Sequence, residues 1–109
     1  MIEIMAIVRP NKVAETKNAL LEIGKPGFTC MRVSGRGKQA VVRTFVDGSV
    51  ITTGLNNKRM FIIEAEDEDE KLIVQKLMEV NCTENHGDGR IFVVDLQKTY
   101  SVREGIKKE

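Results

Sequence analysis

The residues with most chemical potential lie at 85–94, which read Asn-His-Gly-Asp-Gly-Arg-Ile-Phe-Val-Val. A polar, glycine-dense loop runs straight into an apolar strand. Gly87 and Gly89 allow positive φ and a close approach of backbone to a ligand. Asp88 supplies an acceptor, and Arg90 supplies a planar cation of the kind that forks onto phosphate. A second loop, Gly35-Arg36-Gly37-Lys38-Gln39, has the same character. Two glycine-basic loops in so short a chain point to a phosphate-bearing ligand held between them.

Composition bounds what else the chain can be. Its 109 residues suffice for one domain with a real core. A 41% hydrophobic and 30% charged content is that of a soluble globular protein. The formal net charge is +1, from 17 basic and 16 acidic residues, which argues against broad binding to nucleic acid or an anionic membrane. One small basic pocket remains compatible with it. The apolar run Ile4 to Val8 is too short for a signal peptide, and no stretch reaches transmembrane length. Cys30 and Cys82 have no metal-ligand spacing, and a single histidine argues against a zinc site. They read as buried or half-buried thiols of a cytoplasmic protein.

The elements that must position the two loops follow from periodicity. Ile2 to Val8 is apolar on both faces, as a central strand is. Pro10 and Asn11 end it and open a helix, with Asn11 as N-cap. Val13, Thr16, Leu20 and Ile23 recur at helical spacing, and Gly24 suits the position after the helix. Phe28 to Val33 is the next strand, with Thr29, Met31 and Val33 on one face and Cys30 and Arg32 on the other. Residues 34–57 have two glycine clusters and no helical period. Val41-Val42 and Val50 to Thr53 are strand-like around an Asp47-Gly48 turn signal, but the segment as a whole reads as a long mobile excursion. Lys58 to Ala65 is a further strand. Glu66 to Glu70 is an acidic first helical turn with Asp67 or Asp69 as cap, and Ile73, Leu77 and Val80 form the stripe behind it. Ile91 to Leu96 is the fourth strand.

This order predicts a single α+β domain over 1–109. Right-handed crossovers make it the ferredoxin-like βαββαβ arrangement, an antiparallel sheet with two helices on one face and a long mobile loop between strands 2 and 3. Met5, Ile7, Phe61 or Met60, and Val93 or Val94 are then left on the other face. An apolar patch of that extent predicts an oligomer packed sheet against sheet.

With these residues in place, the chain resembles the PII signal-transduction family over residues 2–105. Ile7-Val8-Arg9-Pro10-Asn11-Lys12-Val13 is similar to the family's first strand and helix start. Gly35-Arg36-Gly37-Lys38-Gln39 is similar to the segment that opens its T-loop, here about 37–56. Gly87-Asp88-Gly89-Arg90-Ile91-Phe92-Val93 resembles its B-loop, about 82–90, and its fourth strand. Arg103-Glu104-Gly105 sits where the family's C-terminal segment, here about 97–109, has Arg-Thr-Gly. The resemblance implies ATP or ADP bound between subunits of a homotrimer, or of a mixed assembly with a paralogous PII-like subunit.

Carried over on that resemblance, Gly87, Asp88, Gly89 and Arg90 cradle the phosphates. Lys38 and Arg103 add positive charge, Arg103 from the neighbouring subunit. Gly35 and Gly37 permit close approach, Thr29 lies by the adenine, and Glu64 lines the base pocket through its backbone. The effector 2-oxoglutarate joins Mg²⁺ and ATP at the root of the T-loop. There Gln39 meets the metal, Lys58 pairs with the far carboxylate, and Arg9 and Gly87 lie close by. Mg²⁺ held by phosphates, one amide oxygen and a bidentate oxo-acid has the hard oxygen ligands it requires.

The departures from the family pattern carry information too. Ile51 stands where the family usually has a tyrosine at the T-loop tip, so nucleotidylation at that place is impossible. Ser101 replaces one of two C-terminal cations and removes a phosphate contact. The Gly-Arg-Gly-Lys-Gln opening and the altered loop are most similar to the NifI branch, whose members are encoded among nitrogenase genes. That branch implies a regulator rather than an enzyme, with a nitrogenase component as target.

Three other classes share this order of elements. His86-Gly87-Asp88 is similar to the phosphohistidine motif of nucleoside diphosphate kinases, but no acid at a defined spacing orients the imidazole. An RNA-recognition module stacks bases on exposed sheet aromatics, whereas Phe61 and Phe92 read as core residues and no basic stripe is present. A ligand-sensing ACT-type module without nucleotide would not need Lys38, Arg90 and Arg103 together.

Overall fold

The computed structural model describes residues 1–36, 41–44, 50–53 and 55–105. Among them the elements run β1 (Ile2–Val8), α1 (Val13–Glu22), β2 (Thr29–Gly35), β3 (Val41–Thr44), β4 (Val50–Thr53), β5 (Asn56–Ala65), α2 (Glu70–Asn81) and β6 (Gly89–Asp95). The sheet order is β2-β5-β1-β6, and all three pairings are antiparallel. This is the ferredoxin-like α+β arrangement expected from the periodicity. β3 and β4 form a separate two-stranded ladder, from Val41 opposite Thr53 to Thr44 opposite Val50. The excursion between β2 and β5 therefore contains regular structure, because its β-branched runs flank a turn signal. Residues 37–40, 45–49 and 54 of it lie outside the described residues.

Strict alternation places the core. Ile2, Ile4, Ala6 and Val8 of β1 are buried together with Phe61, Ile63 and Ala65 of β5. Both helices cover this face, α1 through Ala19 and Leu20 and α2 through Ile73 and Leu77. Thr16 and Asn81 form a buried polar link between the helices. The Asn81 side-chain amide donates to Thr16 Oγ1 at 3.2 Å and to the Leu77 carbonyl at 3.0 Å. Asn81, rather than Val80, completes the buried stripe of α2, since it follows Ile73 and Leu77 at a spacing of four.

Helix ends follow local chemistry, with two differences from expectation. Gly24 has φ +75°, and α1 closes with the Lys25 N–H on the Leu20 carbonyl at 2.8 Å and the Gly24 N–H on the Leu21 carbonyl at 3.0 Å. That is a Schellman closure, for which a residue without Cβ is favoured. Asn11 is not the N-cap: Pro10–Lys12 form a 3-10 turn, and α1 begins after it without a side-chain cap. Asp69 stands at the N-cap of α2, yet its carboxylate accepts from Lys25 Nζ at 2.8 Å. The acid ties the end of α1 to the start of α2 instead of capping its own helix.

Among the described residues nothing covers the second face of the sheet. Register puts Met5 opposite Ile62 and Phe92, and Ile7 opposite Met60 and Arg90. Met60, not Phe61, faces outward, and so does Val94. Phe92 is 43% exposed and is not a core residue, because β6 is an edge strand and the register turns this position away from the helices. Both cysteines are also exposed. Cys30 lies on the edge strand β2, and Cys82 follows the last residue of α2.

Candidate ligand site at one end of the sheet

Three chain segments meet where β1 ends, β5 begins and α2 returns to β6. The loop from Cys82 to Asp88 is closed around one carboxylate. Asp88 Oδ2 accepts from the backbone N–H groups of Thr83 at 2.7 Å and Asn85 at 3.4 Å, and Asp88 Oδ1 accepts from the Thr83 hydroxyl. The Asn85 side-chain amide donates to Thr83 Oγ1 at 3.1 Å. Thr, Asn and Asp close together in a loop are the usual material for such side-chain-to-backbone closure.

Two cations pin this loop to the sheet. Arg9 forks onto it: Nη1 donates to Asp88 Oδ1 at 2.6 Å and to Thr83 Oγ1 at 3.2 Å, while Nη2 donates to the His86 carbonyl at 2.8 Å. A lysine in its place would have one donor centre and no fork. Lys58 Nζ donates to the Gly87 carbonyl. The hydrogen bonds from the Thr83 hydroxyl and backbone, with smaller help from Asn85 and Arg9, hold the Asp88 carboxyl down at about 2. Burial first, and the Arg9 charge second, push the Lys58 ammonium below its ordinary value, against the pull of Asp88.

The two glycines of the loop differ in their reasons. Gly87 has φ +89°, and a Cβ there would meet the ends of the Arg9 and Lys58 side chains at 3.5 Å. Gly89 has φ +121°, and a Cβ there would lie 1.8 Å from the Ile7 carbonyl oxygen. Its missing side chain is required by the chain's own sheet, where Gly89 pairs with Val8. β6 therefore starts two residues before Ile91, the start expected from sequence.

The structure thus joins Arg9, Lys58, Gly87 and Asp88 by hydrogen bonds and places Gly89 and Arg90 on the adjoining strand. Arg90 is exposed on the uncovered face opposite Ile7, and its side chain makes no hydrogen bond or ion pair with other described residues. Thr29 stands further along that face, opposite Ile62, and Glu64 lies beyond it, opposite Glu3. Gly35 ends β2 opposite Asn56, with nothing within 4 Å of a Cβ built on it. Arg103 is exposed in a separate turn, closed by the Glu104 and Gly105 N–H groups on the Ser101 carbonyl. Gly37, Lys38 and Gln39 lie outside the described residues. Thr83, Asn85 and the His86 carbonyl were not expected at the site.

The donor set suits an anion. Arg9 pairs with the Asp88 carboxylate, Lys58 sits on the Gly87 carbonyl, and Arg90 adds a third positive charge on the adjoining strand. No group of three or more His, Cys, Asp or Glu that could hold a metal occurs among the described residues.

Comparison with known proteins agrees with this architecture. The family model described as Nitrogen regulatory protein P-II matches residues 1–106. A nitrogen fixation nifHD region GlnB-like protein 2 of Methanococcus maripaludis is 38% identical over 112 aligned residues, covering 94% of this chain and 93% of that protein. Its namesake in Methanothermobacter marburgensis is 37% identical, covering 96% and 94%. The nitrogen regulatory protein GlnK2 of Haloferax mediterranei is 33% identical, covering 94% and 83%. The chain belongs to the PII family of nitrogen regulatory proteins, with NifI-like relatives among its matches.

Proposed function

We propose that this chain is a cytoplasmic, non-enzymatic sensor that binds ATP or ADP at the Arg9–Lys58–Gly87 end of the sheet. In this reading 2-oxoglutarate and Mg²⁺ join ATP there, and a nitrogenase component is the target. The observation that carries it is the surplus of fixed positive charge. Arg9 and Lys58 are anchored on loop carbonyls, only Asp88 among the described residues offsets them, and the Lys58 ammonium lies below its ordinary value. An anion beside Lys58 would relieve that penalty. Arg90 is left to meet phosphate oxygens, and Lys38, Gln39 and Arg103 are proposed to complete the ligand shell. The apolar face of Met5, Ile7, Met60, Ile62 and Phe92 supports packing against further copies or a paralogous subunit. Residues 37–56 are proposed to address the target, through a bias that a ligand can exert only by differential affinity for two states of that segment.

Titration calorimetry with Mg²⁺-ATP, with and without 2-oxoglutarate, tests the reading. ATP binding strengthened by the oxo-acid is expected, with reciprocal strengthening of the oxo-acid by ATP. Absence of nucleotide binding at millimolar concentration would refute it.

A further inference from the structure

The residue next to Lys58 faces the other side of the sheet and meets a second cation. In the β2–β5 register Arg59 lies directly opposite Arg32, and Val8 completes the row in β1. Like charges directly opposite on neighbouring strands are destabilising. Neither arginine forms an ion pair with the described residues. Arg59 Nη1 donates to the Lys58 carbonyl at 3.1 Å, and the Arg32 side chain is exposed on the edge strand without a partner among the described residues. The two guanidinium groups, with Pro10, Val33, Ser34 and Asn57, line an open hollow of about 400 Å³. Ser34 Oγ donates to Asn57 Oδ1 at 3.4 Å, which leaves the Asn57 amide N–H groups as further donors. The row lies where β2 ends and β5 begins, at the root of the segment that contains β3 and β4.

We infer that Arg32 and Arg59 form a docking site for an acidic segment of a partner protein. Charge complementarity selects carboxylates, since paired guanidinium groups take them in a fork geometry. A polypeptide is favoured over a small free anion by the setting. Arg32 is exposed, where salt screens a lone ion pair to little value. Pro10 adds an apolar wall that only a larger partner would cover. The row lies at the same end of the sheet as the nucleotide site but on the other face, because Arg59 and Lys58 project from opposite faces. The inference rests on the reading of the chain as a regulator that contacts another protein.

An NMR titration with a terminally blocked hexaglutamate peptide at low salt tests it, with inorganic phosphate run in parallel. Saturable shifts confined to residues 30–35 and 56–60 are expected, weakened at least fivefold in Arg32→Gln/Arg59→Gln. Arg32→Gln alone, an exposed edge-strand change, gives the same comparison if the double variant is unfolded. No saturable shift in these strands, or equal binding by the variants, would overturn the site. Tighter binding of phosphate than of peptide at the same residues would overturn the acidic-segment assignment in favour of a small anion. ATP titration of the variants separates this inference from the nucleotide reading: affinity within twofold of wild type is expected, and joint loss of both ligands would overturn the claim of two sites.

Discussion

Two connections enter the sheet at the same end and are built in opposite ways. The one from α2 to β6 is knotted around Asp88 and pinned by Arg9 and Lys58 to the ends of two strands. The one from β2 to β5 contributes, among the described residues, a ladder whose strands pair only with each other. The first connection is preorganised, so a ligand that uses its backbone meets groups already in place. The second has no described ladder to the main sheet that a ligand would have to break. A rigid half and a separable half would suit the proposed sensor, in which binding at one is read at the other.

The largest test of this contrast compares two glycines that look alike in the sequence. Gly89→Ala would drive a Cβ into the Ile7 carbonyl at a φ of +121°. A loss of about 3 kcal/mol or more in urea unfolding is expected, the scale of backbone strain combined with overpacking. Gly35→Ala meets nothing within 4 Å and should cost less than about 0.5 kcal/mol. Similar losses for both would mean that the two connections are not built differently at their strand ends.

The next largest effect concerns Arg9. Arg9→Ala removes three donors from the loop, to Thr83, Asp88 and His86. It should lower the local opening free energy by about 1.5–3 kcal/mol, the usual range for charged hydrogen bonds. Amide exchange at Thr83 and Asn85 should then be roughly ten- to a hundredfold faster, while the β3–β4 amides stay unchanged. Arg9→Lys should restore only part of the protection, since an ammonium cannot fork. Full restoration would show that charge alone, rather than geometry, holds the loop.

Acid should open the first connection selectively. The Asp88 carboxyl is depressed from an ordinary 3.8 to about 2 in the folded chain. A depressed carboxyl contributes stability above its unfolded value and loses it as pH falls through the folded value. Exchange protection at Thr83 and Asn85, corrected for intrinsic rates, should be flat from pH 7 to about 4 and fall between about 4 and 2. Asp88→Asn should remove that dependence. A fall already complete at pH 5 would place the controlling proton elsewhere.

The sheet and both helices are legible in the sequence because burial imposes a period on each of them. Ile2–Val8 and Lys58–Ala65 alternate or stay apolar for a reason that operates residue by residue, and the covered face follows. The loop's closure is not legible in that way. Thr83 and Asn85 are polar loop residues of a common kind, and their meaning depends on Asp88 and on Arg9, which lies 79 positions away from Asp88. Gly89 illustrates the other limit. A glycine between Asp88 and Arg90 reads as part of a turn, yet it is the first residue of β6 and abuts Ile7. The Arg32–Arg59 row is also hidden, because alternation gives each residue its face while only the register shows that the two cations are opposite.

Arg90 should show the smallest effect on stability and so separates cations that hold the loop from cations left for a ligand. Its side chain stands on the uncovered face with no hydrogen bond or ion pair to the described residues. Arg90→Ala should therefore change unfolding free energy by less than about 0.5 kcal/mol, as surface changes away from specific features do. Exchange at Thr83 and Asn85 should not respond, in contrast to Arg9→Ala. On the proposed nucleotide reading, the same variant loses a charge-assisted bond to phosphate of about 1.5–3 kcal/mol, which calorimetry would read as at least a tenfold weaker ATP affinity. Stability and loop protection preserved with ATP binding lost would assign Arg90 to the ligand and Arg9 to the scaffold. Unchanged ATP affinity would move the phosphate site away from β6 and leave the surplus charge at Arg9 and Lys58 to another anion.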